Sequence, residues 1–264
     1  ARAALHTGEE PCLCGERGAG AVFFSGCALH CVFCQNAEIS QRGFGKEIGT
    51  AQLAEIFLRL QDEGAKTLDL VSPTHFAPQI ARALERAKPR LRIPVVYNSN
   101  GYDSPEALGM MDGLVEIYLP DLKYKDAALS KAYSGAADYF DVAQAAIQEM
   151  YRQTGPLQWG ANGVLQRGLM VRHLLLPGCR KDSMAVLEAL SRLAPPRHIL
   201  LSLMSQYTPC YRAAAYKEID RRVTDFEIDS VRDYAVRLGF EGYGQARSAA
   251  DSRYTPAFDL TGVW

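Results

Sequence analysis

Short apolar runs recur along the chain, each bounded by turn residues: Ala21 to Ser25, Thr67 to Ser72, Ile93 to Asn98, Val115 to Leu119, Leu169 to Leu176 and Ile199 to Met204. Runs of this length, apolar on both faces, are expected of strands buried in a parallel sheet. Between them the period changes to that of a helix. Thr50 caps an expected helix with Leu53, Ile56, Phe57 and Leu60 on one face, closed by Gly64. Ser104-Pro105 opens another, and Ala143, Ala146, Ile147 and Met150 mark the stripe of a longer one. Thr224 and Glu227 form a capping box before Ile228, Val231, Ala235 and Leu238, with Gly239 at the end.

Six β/α units in this order predict the α/β class, with a parallel sheet curled into a partial (β/α)6 TIM-like barrel. No linker interrupts the alternation, so residues 1–264 read as one domain, with 1–20 an N-terminal extension and 224–264 a C-terminal helix and tail. Gly15, Gly18 and Gly20 precede a strand instead of joining a strand to a helix, which makes them turn residues and not a nucleotide loop. The connection Tyr151 to Arg167, long and glycine-rich, is read as a lid or docking surface.

A chain of 264 residues with 48% hydrophobic content can bury a full core. Its 29 basic and 30 acidic residues leave a net charge of −1, and no long basic run offers a track for phosphates, so nucleic acid is not an expected partner. No apolar stretch approaches the roughly 18 residues of a membrane helix, and no membrane partner is expected. Seven cysteines without a secretory signal point to a reducing, cytoplasmic setting. The chain begins ARAALH without an initiator Met, as a processed or truncated chain would.

Cys27, Cys31 and Cys34 stand in a Cys-x3-Cys-x2-Cys spacing on the loop after the first apolar run. Three thiolates so close can hold three corners of a cubane iron-sulfur cluster and leave one iron open to a ligand, whereas closed clusters and structural zinc sites recruit a fourth residue. A zinc site is the rival reading, but His30 lies beside Cys31, where it competes with that ligand instead of completing a tetrahedron. Cys12, Cys14, Cys179 and Cys210 are either ordinary thiols or ligands of a second cluster.

In parallel β/α folds chemistry collects at the carboxyl ends of strands. Ser72-Pro73-Thr74-His75, Asn98-Ser99-Asn100-Gly101, Asp121-Leu122-Lys123 and Gln206 fall at such ends, and Arg172 and His173 lie within a strand. Asp121 and Lys123, two apart, point the same way and either satisfy each other or touch a ligand. Arg172, a guanidinium in an apolar strand, needs an anionic partner. Tyr97, Tyr102, Tyr118 and Tyr124 are placed near the lumen, as stacking or core residues.

The cysteine triplet, with Phe33 just before its third member, resembles the signature of the radical S-adenosylmethionine (SAM) superfamily. More narrowly, HTGEEP, LVSPTHFAPQI, VVYNSNGY, IYLPDLKY, VRHLLLPG, LMSQYTP and FDLTGV resemble an uncharacterised branch related to pyruvate formate-lyase activating enzymes, some of which carry a further cysteine-rich segment upstream. The resemblance implies a [4Fe-4S] cluster on Cys27, Cys31 and Cys34 that chelates SAM and, given one electron from a flavodoxin or ferredoxin, cleaves it reductively. It also implies SAM contacts from Phe33, Ser72, Thr74, Asn98, Ser99, Asp121, Lys123, Arg172 and Gln206, with the SAM carboxylate on Arg172. Ser72-Pro73-Thr74 replaces the family's Gly-Gly-Glu-like segment, leaving hydroxyls and carbonyls to receive the ammonium. Asn98, Ser99 and Asp121 match a small cation site in relatives, with one acidic residue fewer. The expected substrate is a glycyl radical enzyme, with a small metabolite or a pure electron-transfer role as alternatives.

Overall fold

The computed structural model describes residues 1–244 and 256–264; residues 245–255 of the expected C-terminal tail lie outside the described residues. The strands are β1 (Arg2–His6), β2 (Ala19–Phe23), β3 (Leu68–Val71), β4 (Val95–Ser99), β5 (Ile117–Pro120), β6 (Gln158–Trp159), β7 (Leu165–Leu174), β8 (Ile199–Met204) and β9 (Glu241–Gly244). The helices are α1 (Pro11–Cys14), α2 (Ala37–Ser40), α3 (Thr50–Asp62), α4 (Ala77–Ala87), α5 (Pro105–Gly109), α6 (Ala127–Ser134), α7 (Tyr139–Thr154), α8 (Arg180–Leu193) and α9 (Asp225–Arg237).

The expected strands β2, β3, β4, β5, β7 and β8 are neighbours in that order and run parallel, as a partial barrel requires. The pattern missed both edges. β1 pairs antiparallel with β2, β9 extends the sheet beyond β8, and β6 forms an antiparallel hairpin with the start of β7. The segment read as a lid is therefore the end of α7 followed by this hairpin. It sits at the amino end of β7, because it leads into a strand, and so lies opposite the face where carboxyl-end loops converge.

Registers divide the sheet into two faces. Val96, Ile117, Leu119, Met170 and Leu200 pack together inside the curve, and Cys12 and Leu13 of α1 plug that space from the amino end. Leu68, Leu70, Tyr97, Tyr118, Leu169 and Val171 face the helices, meeting Phe57, Ile80, Leu84, Ile147 and Met150. Each such aliphatic side chain taken from water contributes roughly 1.5–3 kcal/mol. The helix punctuation follows local chemistry. Ser104 accepts the Ala107 N–H at 3.2 Å, and Thr224 with Glu227 closes a reciprocal capping box. Thr50 does not cap α3: Gly49 takes that position and Thr50 is the first helical residue.

Candidate functional site

The loop after β2 carries the three cysteines into a cavity of about 290 Å³ at the carboxyl ends of the strands. Gly26 makes the turn with φ +93°, and a Cβ there would meet the His75 ring at 2.7 Å, so glycine is required. The loop is fastened on both sides. The N–H groups of His30 and Val32 donate to the carbonyls of Ser134 and Tyr133, each at 2.9 Å, and Val32 accepts from the Arg212 N–H at 2.8 Å. Cys27, Cys31, Phe33 and Cys34 all line the cavity, where Phe33 meets Tyr207 edge to face.

Each of the three sulfurs has its own polar neighbour: Asn100 Nδ2 lies 3.1 Å from Cys27 Sγ, Ser134 Oγ 3.0 Å from Cys31 Sγ, and Ser40 Oγ 3.3 Å from Cys34 Sγ. Burial pushes the Cys31 thiol up to about 11 and raises Cys34 as well. Deprotonation then needs a cation in place of the proton, as metal ligation provides. Among the described residues no His, Cys, Asp and Glu side chains converge in a group of three or more on one metal ion. The thiolates of a cubane cluster bind separate irons and need not meet at one point. His30 is engaged elsewhere, its Nδ1 2.6 Å from Gln41 Oε1.

Arg172 lines the cavity, and its anionic partners in this structure are Glu9 and Glu10. Its Nε and Nη2 donate to Glu10 at 2.9 and 2.6 Å, Nη2 also pairs with Glu9, and Nη1 reaches Asn98 Oδ1 at 3.5 Å. Burial opposes charge on Glu10, yet the adjacent Arg172 outweighs it and holds the carboxyl below its usual range. Asn98 in turn donates to Asp69 Oδ2 at 3.3 Å, so its amide is spent inside the protein. Burial, reinforced by Glu9, pushes Asp69 well above the usual carboxylate range.

The remaining expected residues separate into two groups. Ser72, Asp121, Lys123 and Gln206 line the cavity. Ser72 sits at φ +58°, a left-handed conformation that a non-glycine residue adopts at a cost of order 1–2 kcal/mol. Gln206 Oε1 is buried without a partner, an acceptor turned into the site. Asp121 and Lys123 satisfy each other at 2.5 Å. Thr74, which does not line the cavity, and Ser99, which does, both donate to Asp103, at 2.7 and 2.6 Å, and Tyr97 joins them at 3.1 Å. This buried carboxylate, missed in the sequence, ties the loops after β3 and β4. Asn98, Ser99 and Asp121, expected to form a cation site, line the cavity together and each has a protein partner. Tyr97 and Tyr118 point to the helices, with the Tyr118 hydroxyl on Gln153, and not into the lumen.

Cys12 and Cys14 are buried in the plug, while the Cys210 thiol donates to Phe33 O at 3.2 Å, beside the cysteine loop. The four extra cysteines are thus not gathered at one site.

Residues 21–134, which hold the cysteine loop and the strands through β5, match the radical SAM superfamily profile. Over that stretch the chain is similar to the radical SAM superfamily. An uncharacterised protein of Methanocaldococcus jannaschii is 29% identical over 251 residues, covering 90% of this chain and 67% of that protein. The crystal structure of Streptococcus suis SuiB bound to precursor peptide SuiA superposes with a TM-score of 0.60 at 13% identity, over 86% of this chain and 48% of SuiB. A spore photoproduct lyase gives 0.58 at 12% identity, over 92% and 80%. These structures share this chain's fold. The chain spans about half the length of SuiB.

Proposed function

We propose that this chain is a radical SAM protein, holds a [4Fe-4S] cluster on Cys27, Cys31 and Cys34 and reductively cleaves SAM for hydrogen abstraction. The observation that carries the reading is that the three cysteines line one cavity, each sulfur with a polar side chain beside it. When bound, cluster and SAM supply, on receipt of one electron, methionine and a 5′-deoxyadenosyl radical. A flavodoxin or ferredoxin is the class of donor we assign.

The chain's own part is binding and exclusion. Gln206 Oε1, buried without a partner, and the carbonyls around Ser72 accept from the SAM ammonium or adenine amino group. Phe33 lines the cavity next to Cys34, and the Asp121–Lys123 pair sets the charge near Cys31. Phe23, Val71, Leu174 and Met204 supply an apolar wall that keeps water from a reactive centre. Thr74 and Ser99 serve as positioning residues through Asp103, and Arg172 through Glu9 and Glu10.

For the substrate we assign a glycyl radical enzyme, whose glycine-bearing loop enters at the carboxyl end of the barrel. Two points support entry of a peptide: the long connection first read as a lid belongs to the amino end, and SuiB, of the same fold, binds a precursor peptide. The test is a reductive assay with deuterated candidate glycyl radical enzymes beside a pooled metabolite extract. Deuterium in 5′-deoxyadenosine together with a glycyl signal in electron paramagnetic resonance is expected. Turnover driven by the extract alone, with no glycyl signal, would assign a small metabolite instead.

A further inference from the structure

The polar neighbours of the three cysteines come from three separate parts of the fold: Asn100 follows β4, Ser134 ends α6 and Ser40 ends α2. Each is oriented by another group. The Tyr102 N–H donates to Asn100 Oδ1 at 2.7 Å, which fixes the amide so that Nδ2 faces Cys27. Tyr124 and Ser134 hydroxyls are 2.9 Å apart, and Tyr124, buried, has its proton free to give to Ser134 Oγ, leaving the serine proton for Cys31. Gln41 Nε2 donates to Ser40 Oγ at 3.5 Å and to Leu29 O at 2.9 Å, leaving the Ser40 proton for Cys34. A sulfur bound to iron is a thiolate and can only accept, so with a metal in place all three contacts run from N–H or O–H to sulfur.

We infer that Asn100, Ser134 and Ser40 are positioning residues that set the reduction potential of the cluster, one donor for each cysteine ligand. The inference rests on Cys27, Cys31 and Cys34 holding that cluster. Adding an electron increases the negative charge shared by the thiolates, and a donor aimed at a thiolate stabilises the more negative state. Such hydrogen bonds are among the factors that set iron-sulfur potentials. The Tyr124–Ser134–Cys31 chain adds polarisation, because a hydroxyl that accepts one hydrogen bond donates a stronger one. These donors therefore make the cluster easier to reduce.

The test is the midpoint potential of the reconstituted cluster, followed by electron paramagnetic resonance in an anaerobic redox titration without SAM, with iron counted in every sample. Asn100→Ala and Ser134→Ala are each expected to lower the reduction equilibrium up to tenfold, about 59 mV for a one-electron couple. Ser40→Ala, at the longest contact, shifts it less. Ser134→Thr keeps the donor and the wild-type value. Tyr124→Phe touches no sulfur and is expected to shift the potential in the same direction by a smaller amount, which decides the matter if an alanine variant loses its iron. A wild-type potential in iron-loaded Asn100→Ala and Ser134→Ala, or in Tyr124→Phe where those fail to load, overturns the inference. Wild-type protein that takes up no iron instead rejects the cluster reading beneath it.

Discussion

Arg172 and Glu10 meet side-on, Nε to Oε1 at 2.9 Å and Nη2 to Oε2 at 2.6 Å, across 162 residues of sequence. The contact ties the segment before α1 to β7. Breaking a buried ion pair by removing one partner leaves an uncompensated charge and costs about 3–5 kcal/mol. Glu10→Gln leaves Arg172 with Glu9 as its remaining anion, so it is expected to destabilise the protein by about 1.5–3 kcal/mol in chemical denaturation, the range of a lost hydrogen bond to a charged group. Glu9→Gln should cost less, because Arg172 keeps the two-point contact with Glu10. If Glu10→Gln unfolds at the wild-type midpoint, the pair does not anchor the plug.

Asp103 collects three hydroxyl donors, from Thr74, Tyr97 and Ser99, although burial pushes its own pKa up. Asp103→Leu leaves those hydroxyls without their acceptor, at about 1–3 kcal/mol for each that stays buried and unpaired. A loss of at least about 2 kcal/mol in denaturation is expected, and Asp103→Asn, which retains one acceptor oxygen, should lose less. Equal stability of Asp103→Leu and wild type would remove this carboxylate as the tie between the loops after β3 and β4.

His173 faces away from the lumen, its Nδ1 2.7 Å from Leu122 O and its Nε2 buried without a partner. Burial lowers its pKa to about 4, from an ordinary value near 6.5. The unfolded chain therefore takes up a proton that the native protein resists. Stability is full above about pH 6.5 and falls as pH drops towards 4, by up to about 3 kcal/mol in all. Glu10, whose pKa is depressed, adds its own loss only below about pH 4.5. Denaturation at pH 7 and pH 5 should separate wild type from His173→Gln, the variant having the flatter profile; parallel profiles would contradict the assignment.

How far these relations were legible in the sequence follows from their range. The buried parallel strands declared themselves because both faces are apolar, as in Val95–Val96 and Ile199–Leu203. β1 and β9 did not, since RAALH and EGYG lack the β-branched apolar run that marks a buried strand and lie at the sheet edges. The lid reading of Tyr151 to Arg167 failed on topology: a connection from helix to strand belongs to the amino end, whatever its glycine content. At the site, Cys27, Cys31 and Cys34 were legible because their spacing is local. The partners of Arg172 were not, because Glu9 and Glu10 are far away in sequence, and a lone arginine in a strand says only that some anion is near. Ser40 and Ser134 gave no signal at all, while Asn100 lay in a segment already marked by its position after a strand.

The most direct measurement of the central claim is reductive SAM cleavage by anaerobically reconstituted protein, with methionine and 5′-deoxyadenosine quantified beside bound iron. Wild type is expected to carry about four irons and to form both products in equal amounts at a slow rate even without substrate. The Cys27→Ala, Cys31→Ala, Cys34→Ala triple variant, folded by circular dichroism, should lose that iron and form neither. Retention of most of the iron, or of SAM cleavage, in the triple variant would contradict the assignment of the cluster to these three cysteines.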